Sequence, residues 1–178
     1  MSLDIRWLVP AAIYAVAPQC IAAKYISIDQ ARGLIFPSAD EYVERPLQLT
    51  PEQMQELDKT SGVAGRTAQQ HVWRALSKGA LIGWFFIDQV IGKHELITYA
   101  LGINADGSVR QLQIIEYLET YGSQVRYLNW RDQFVGKTVK DPLRIDNDIV
   151  NISGATLSSR HLTDGIRRLL FLHHSVLR

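Results

Sequence analysis

The sequence predicts an α+β fold, a curved antiparallel sheet with helices packed on it, in a single domain that follows a signal peptide. Three observations predict it: apolar, aromatic-rich segments joined by short turns in the middle of the chain, helix-capping signals on either side of them, and an apolar leader. With 178 residues, the chain is long enough for one domain with a sizeable core but short for two.

The N-terminal leader has the pattern of a signal peptide. After Arg6 the run 7–17 is apolar, and small residues recur at Cys20 and Ala22, which favours cleavage after Ala22 or Ala23. We therefore expect an exported, periplasmic protein. An uncleaved N-terminal anchor or a buried first helix is the alternative interpretation of the same residues.

The chain divides into a signal peptide (1–22), a helical N-terminal part of the mature domain (23–80) and the core of the domain (81–178). Cleavage would remove Cys20, the single cysteine, so the mature chain would hold no disulfide, thiol nucleophile or thiolate metal site. The 19 Lys and Arg residues balance 18 acidic ones, for a net charge of +1. No basic face is implied, and we expect no nucleic-acid partner.

Two short helices are predicted before the sheet. Residues 28–36 look like a helix that is stopped by Pro37. In the second helix, Thr50 can cap, Pro51 suits the first helical position, and Gln53 can reach back to complete a capping box.

The centre of the chain predicts three strands, at residues 81–91, 96–103 and 109–117. The turn 92–93 joins the first two, and the turn 104–107 joins the last two with a glycine where a positive φ is needed. Connections this short predict an antiparallel meander.

Helical segments are predicted again after the sheet. Residues 130–134 read as one or two helical turns, and a last helix runs from about Arg160 to His173 with an apolar stripe on one face. Ser158 or Ser159 is the expected cap of that helix, and His174 belongs with His173 to a solvated tail.

The loop 152–159 is the most informative stretch for function, because it carries small hydroxylated residues into a helix. Glycine and alanine allow close approach of a phosphate, and the N–H groups at a helix start face an anion along the favourable end of the helix dipole. A plain helix-capping loop has the same composition, so chemistry alone leaves both interpretations open.

The run Ser-Gly-Ala-Thr-x-Ser-Ser at 153–159 resembles the signature of the FMN-binding domain family. That family includes the flavin-carrying periplasmic subunits of Rnf and sodium-translocating NADH:quinone oxidoreductase complexes. In those relatives a flavin transferase, using FAD and Mg²⁺, esterifies the FMN phosphate onto the threonine of Ser-Gly-Ala-Thr. The matching residue here is Thr156.

A second likeness lies upstream, so that the resemblance covers about residues 81–170. The turn 119–122, Glu-Thr-Tyr-Gly, resembles the family's Glu-Thr-Pro-Gly turn after a hydrophobic strand, and 130–137 resembles the segment that follows it. Two departures stand out: Val150 replaces the aspartate usual three residues before the serine, and Tyr121 replaces the proline. The resemblance implies a phosphoester bond between FMN and Thr156, and because of the first departure non-covalent binding of FMN is the alternative.

The resemblance implies FMN as the cofactor and places its binding in the loop before the last helix and in the turn after the third strand. It assigns no catalytic residue and no metal ligand. The candidate cofactor-binding residues are Thr156, Ser153, Gly154, Ala155, Leu157, Ser158, Glu119, Thr120, Tyr121 and Gly122.

Other residues each have a functional and a structural interpretation. Aromatic rings could stack on the isoalloxazine or belong to the core, arginines could neutralise the phosphate or be solvated, and histidines could tune the flavin or serve as surface or capping residues. Glu119 and Thr120 could hydrogen-bond the flavin or close a strand end. The residues concerned are Trp84, Tyr117, Tyr121 and Trp130 for stacking, Arg160 and Arg167 for the phosphate, and His94 and His161 for tuning.

The resemblance implies an extracytoplasmic FMN-binding electron-transfer protein, a carrier more than a stand-alone enzyme. Its partners would be a flavin transferase during maturation and membrane-bound redox proteins. The alternatives are a small periplasmic flavoenzyme such as a reductase, and a flavin-free structural or regulatory domain of the same fold.

Overall fold

A computed structural model describes residues 23–65, 67–119 and 122–177. The expected signal peptide (1–22) and the candidate residues Thr120 and Tyr121 lie outside the described residues. Short 3₁₀ turns occur at Ser123–Arg126 and Asp132–Phe134. The described elements are, in chain order, β1 (Ala23–Lys24), α1 (Ile28–Ile35), β2 (Glu41–Glu44), β3 (Leu47–Gln48), α2 (Pro51–Ser61), β4 (Gln69–Ser77), β5 (Ala80–Ile91), β6 (Leu96–Asn104), β7 (Val109–Tyr117), α3 (Leu128–Arg131) and α4 (Thr156–Leu172).

The strands form an antiparallel sheet in the order β1-β7-β6-β5-β4-β2, with β3 paired to the end of β4. The α+β class, the single domain and the central meander are therefore confirmed. Each of the three expected strands matches its counterpart to within one residue at either end. Register shifts at Ala75/Leu76, Thr98/Tyr99 and Gly102/Ile103 are irregularities of the kind that bend strands.

The segment 23–80 is not only helical, as the sequence led us to expect. It contains both expected helices, but also the three short strands at the sheet edges and the nine-residue strand β4. The alternation of β4 is broken because the polar Gln70 takes a buried position, where its Nε2 donates to the Ile87 carbonyl at 2.9 Å. The turn that joins β4 to β5 carried a signal, because Lys78 and Gly79 both have positive φ, 50° and 78°, which is the geometry of a type I′ hairpin.

The capping box that the sequence predicts for α2 forms, and α1 has a capping box as well. In α2, the Gln53 backbone N–H donates to Thr50 Oγ1 at 3.2 Å, and the Thr50 N–H donates to Gln53 Oε1 at 2.9 Å. In α1, Ser27 and Gln30 make the same reciprocal pair. Both helices thus satisfy N–H groups that would otherwise lack acceptors.

The last helix begins four residues earlier than expected, and no serine caps it. Its N-cap is Ala155, which offers no side-chain hydrogen bond, because a turn at Gly154 (φ 80°) already directs the chain into the helix. Ser158 and Ser159 are buried in the first turn, where the Ser159 hydroxyl donates to the Ala155 carbonyl at 2.9 Å.

The end of α4 also differs from the expected solvated tail. The helix continues as a π-helical turn through His173–Leu177. His173 is buried, with its ring edge-on to Trp84 at 6.2 Å between centroids, while His174 is exposed. His173 therefore packs the C-terminal end of the helix against β5 of the sheet.

Apolar side chains cover both faces of the sheet. The larger cluster packs α4 and α2 against one face, and the smaller one packs α1 against the other, so that the neighbours Phe86 and Phe85 of β5 belong to different clusters. None of the helices in the described part of the chain is long and apolar enough to cross a membrane.

Candidate functional site

Thr156 is the first residue of α4, and its side chain is exposed. The loop before it closes with a hydrogen bond from the Ala155 N–H to the Ile152 carbonyl at 2.9 Å. Ser153 and Gly154 are exposed too, while Ala155 is buried. The site thus offers a hydroxyl at the start of a 17-residue helix, where free N–H groups and the helix dipole favour an anion.

Two side chains of the 130–137 segment hold the chain just before this loop. The Trp130 indole Nε1–H donates to the Val150 carbonyl at 2.8 Å, and the Val150 N–H donates to Gln133 Oε1 at 2.7 Å. Gln133 Nε2 in turn donates to the Trp130 carbonyl at 3.0 Å. We call this arrangement of Trp130, Gln133 and Val150 the backbone clamp. Both backbone polar groups of Val150 are fixed by it, which anchors the loop against α3.

The turn after β7 contacts the loop from the other side. A Cβ placed on Gly122 would lie 2.6 Å from the Ala155 Cβ and 2.6 Å from the Tyr117 hydroxyl, so only glycine fits. The Tyr117 and Ser158 hydroxyls share a hydrogen bond of 3.2 Å. Burial raises the pKa of Tyr117 above its ordinary value, although the Ser158 hydrogen bond opposes this. The fold therefore brings Gly122 into contact with the loop that carries Thr156.

Glu119 is turned toward the connection between β5 and β6. Its Oε1 accepts from the His94 N–H at 2.5 Å and from the Glu95 N–H at 3.0 Å. Burial alone would raise the pKa of Glu119, but the N–H groups of Glu95, His94 and Lys93 outweigh it and hold that pKa below its ordinary value. These contacts match the interpretation in which Glu119 closes a strand end.

Asn151 is a residue that the sequence did not single out. Its Nδ2 donates to Thr156 Oγ1 at 3.4 Å, and its Oδ1 is buried without a hydrogen-bond partner among the described residues. The nearest upstream acid, Asp148, is used elsewhere: it accepts from Lys137 Nζ at 2.9 Å and from the Arg144 N–H at 2.9 Å. A polar residue between two apolar ones in a loop was the signal available for Asn151.

The sequence model of the FMN-binding domain family matches residues 92–170. This part of the chain is an FMN-binding domain. The chain is also similar to one of the subunits of the Na(+)-translocating ferredoxin:NAD(+) oxidoreductase complex of Acetobacterium woodii, with 24% identity over 159 residues, which are 82% of this chain and 73% of the relative. The family match confirms the resemblance and the cofactor FMN, and the likeness to an oxidoreductase subunit supports a role in electron transfer.

The residues of the FMN-binding domain around Thr156 suit a phosphate. Gly154 is exposed and has no side chain to block the backbone, and Arg160 is exposed four residues after Thr156 on the same side of α4. Helical side chains lean toward the N-terminus of their helix, which favours an approach of that guanidinium to the phosphate. Arg167 is engaged differently, since it donates to the Ser61 carbonyl at 2.8 Å and pairs with Asp164 at 2.9 Å.

The aromatic and histidine candidates have mainly structural contacts. Trp84 and Trp130 are buried in the core. His161 Nδ1 lies 2.6 Å from the Ile91 carbonyl and so ties α4 to the end of β5, while the His94 side chain is exposed. Among the described residues, no group of three or more His, Cys, Asp or Glu side chains could hold a metal ion.

A cleft of about 780 Å³ lies between α4 and the ends of β4 and β5. Arg168 and His161 line it from the helix, Gln70 and Asp88 from the strands. The loop residues 153–158 do not line this cleft. It is therefore distinct from the surface around Thr156.

Proposed function

We propose that this FMN-binding domain is an extracytoplasmic electron carrier whose FMN is esterified to Thr156. The observation that carries the proposal is the exposed Thr156 hydroxyl at the start of α4, in a loop held by the backbone clamp and by Gly122. The hydroxyl of a threonine at such a position is open to a second protein, as attachment by a transferase requires.

The attachment step uses FAD as the FMN donor. Thr156 Oγ attacks the phosphorus on the FMN side of the FAD pyrophosphate, and a new Oγ–P bond forms as the bond to the bridging oxygen breaks. AMP leaves with that electron pair, and the hydroxyl proton passes to a base of the flavin transferase. No described carboxylate or imidazole contacts Thr156 Oγ1, which is consistent with a base supplied from outside the chain.

The attached phosphodiester would carry one negative charge at the N-terminus of α4. The helix dipole favours such an anion by roughly 0.3–1 kcal/mol. When bound, the flavin accepts and donates one or two electrons and so can link different redox partners. The protein's own residues would hold the flavin and set its orientation toward those partners.

An apolar surface around the attachment residue fits the isoalloxazine ring and a redox partner. Leu157 is exposed beside Thr156, and Val150 is exposed at the backbone clamp. Further exposed apolar side chains lie on the adjoining segment 127–135. Contiguous apolar patches on a protein surface mark interaction sites. The exposed apolar side chains of segment 127–135 are Tyr127, Leu128 and Val135.

The proposed location and partners rest on the leader and on the relative. Residues 1–22 have the composition of a signal peptide, which would deliver the domain to the periplasm. The relative is part of an oxidoreductase complex, and by analogy the redox partners of this chain would be membrane-bound proteins. A flavin transferase would act on it before assembly.

The test is co-expression of the full-length chain with a flavin transferase, followed by ultraviolet fluorescence of the denatured band and intact mass. We expect a fluorescent band and a mass increase of FMN minus water, both lost in Thr156→Val. Thr60→Val is the matched control, because Thr60 is an exposed helix threonine whose hydroxyl bonds only to its own helix. A parent that binds FMN but never fluoresces after denaturation would show that binding is not covalent.

The same mass also reports the fate of the leader. Recovery of the chain from the periplasm without residues 1–22 or 1–23 would support export, and full-length chain in the cytosol of the native host would contradict it. A colourless product from both compartments would favour a flavin-free role.

A further inference from the structure

We propose that Asn151 is a positioning residue for flavin attachment, whose side-chain amide orients the Thr156 hydroxyl for esterification. This inference adds a residue to the proposed attachment at Thr156 and rests on that proposal. Its first support is the contact itself: Asn151 Nδ2 donates to Thr156 Oγ1 at 3.4 Å, across the turn that starts α4. Because this N–H engages a lone pair of the oxygen, the hydroxyl proton stays free to leave.

The fold holds Asn151 in place through the residue before it. Val150 is fixed at its N–H by Gln133 and at its carbonyl by Trp130. The chain direction at Asn151 is therefore set by the backbone clamp. On the other side, the turn at Gly154 places Thr156 within reach of the Asn151 amide.

The second support is the buried carbonyl oxygen of the partly exposed Asn151 side chain. Its Oδ1 is buried and has no hydrogen-bond partner among the described residues, and an unsatisfied buried acceptor lowers the stability of a fold. An apolar side chain at this position would leave no such group. A buried acceptor without a partner, on the same amide that donates to the Thr156 hydroxyl, indicates that the amide serves the site.

An amide also suits the reaction better than the available acids. It is neutral, so it does not repel the incoming phosphates of FAD, and it can donate to the Thr156 oxygen as negative charge develops there. Asp148 cannot take this role, since Lys137 and the backbone N–H groups of Leu143 and Arg144 already occupy its carboxylate. Asn151 transfers no proton in this scheme and stays unchanged by the reaction.

The experiment measures the initial rate at which the purified full-length chain is labelled by a flavin transferase with FAD and Mg²⁺, read by in-gel fluorescence. We expect Asn151→Ala to lower the maximal rate about five- to tenfold, the effect of one lost hydrogen bond in a transition state, with little change in the chain concentration for half-maximal rate. Asn151→Asp, which keeps the shape but cannot donate, should be slowed as well.

Thermal unfolding of the same variants separates positioning from folding. We expect the melting temperature of Asn151→Ala to equal or exceed that of the parent, because the unsatisfied Oδ1 is gone. Asn147→Ala, an exposed asparagine in the same loop, is the control and should label at the parental rate. Parental labelling by Asn151→Ala or by Asn151→Asp overturns the inference, as does a labelling loss that follows a loss of folded protein.

Labelling of the parental chain distinguishes a failure of this inference from a failure of the proposed attachment at Thr156. If the parent labels at Thr156 and Asn151→Ala labels equally fast, only the role of Asn151 is wrong. If the parent never labels, the covalent attachment fails and the role of Asn151 fails with it.

Discussion

The backbone clamp makes a sharp prediction about Trp130. Trp130→Phe keeps an aromatic ring against Phe134, whose ring centroid lies 5.1 Å away, but removes the indole N–H that binds the Val150 carbonyl at 2.8 Å. The substitution therefore tests whether this single hydrogen bond holds the loop that leads to Thr156.

Two contributions set the expected loss of stability. The Val150 carbonyl loses its donor, which costs about 1 kcal/mol because the Val150 side chain is exposed and water can reach the region. Trp130 is 5% exposed, so removal of the larger ring leaves unfilled apolar space worth roughly 1–2 kcal/mol. The sum, about 2–3 kcal/mol, corresponds to a fall in melting temperature of roughly 5–10 °C for a domain of this size.

Labelling should respond more strongly than stability. A shift of the loop by about 1 Å is enough to slow a positioned reaction about a hundredfold, so we expect labelling of Thr156 to slow about tenfold or more. Urea unfolding gives the stability change, and in-gel fluorescence after timed incubation with transferase gives the rate. Since Trp130 and Gln133 hold the same residue, Gln133→Leu combined with Trp130→Phe should cost less than the two single effects added together.

Trp73→Phe is the matched control, because Trp73 packs with Phe85 in the apolar cluster on the other face of the sheet. It should lose some stability and label at the parental rate. The clamp has no role in the site if Trp130→Phe loses less than about 0.5 kcal/mol of stability. The same holds if it labels no more slowly than Trp73→Phe.

Two further predictions concern the turn after β7. Gly122→Val should lower the melting temperature and displace the loop, since a Cβ there would meet Ala155 and Tyr117 at 2.6 Å and the residue has a φ of 87°. A melting curve equal to that of the parent would contradict this contact. Glu119 has a pKa below its ordinary value of 4.5, so its stabilising effect is present above that pH and fades as the pH falls through the lowered pKa. Urea unfolding should thus show Glu119→Gln less stable than the parent at pH 7, with the difference shrinking toward pH 3, and an equal difference at both pH values would refute this.

The sheet and the first helices could be predicted because their signals are local. Alternation, tight turns and capping boxes depend on neighbouring residues, and α2 with its Thr50 cap and β7 appear where the sequence placed them. Strand β4 could not be recognised in the same way, since the polar Gln70 takes one of its buried positions and its pairing partners lie on both sides of it in the fold. The start of α4 was misjudged because Ser158 and Ser159 resemble caps, whereas Gly154 already turns the chain.

The site was predictable as a motif but not as a set of contacts. The resemblance directed attention to Thr156 and Gly122, and the fold brings their segments together through Ala155. No local pattern could show that Glu119 turns toward the β5–β6 connection, or that Trp130 and Gln133 hold Val150, because these contacts join residues 17 or more positions apart. Such roles depend on tertiary packing, which motif order does not encode.

The shape of the site bears on whether the attachment is covalent. Ser153, Gly154, Thr156 and Leu157 are all exposed, so the phosphate would meet a surface and not an enclosed pocket. The helix dipole offers at most about 1 kcal/mol, and an exposed Arg160 adds at most about 1 kcal/mol more. Even a dissociation constant of about 1 mM requires about 4 kcal/mol, so these contacts to the phosphate alone would release FMN on dilution. If the domain is exported, as we propose, a lost flavin would not be readily replaced, and the proposed ester at Thr156 would retain it where these phosphate contacts would not.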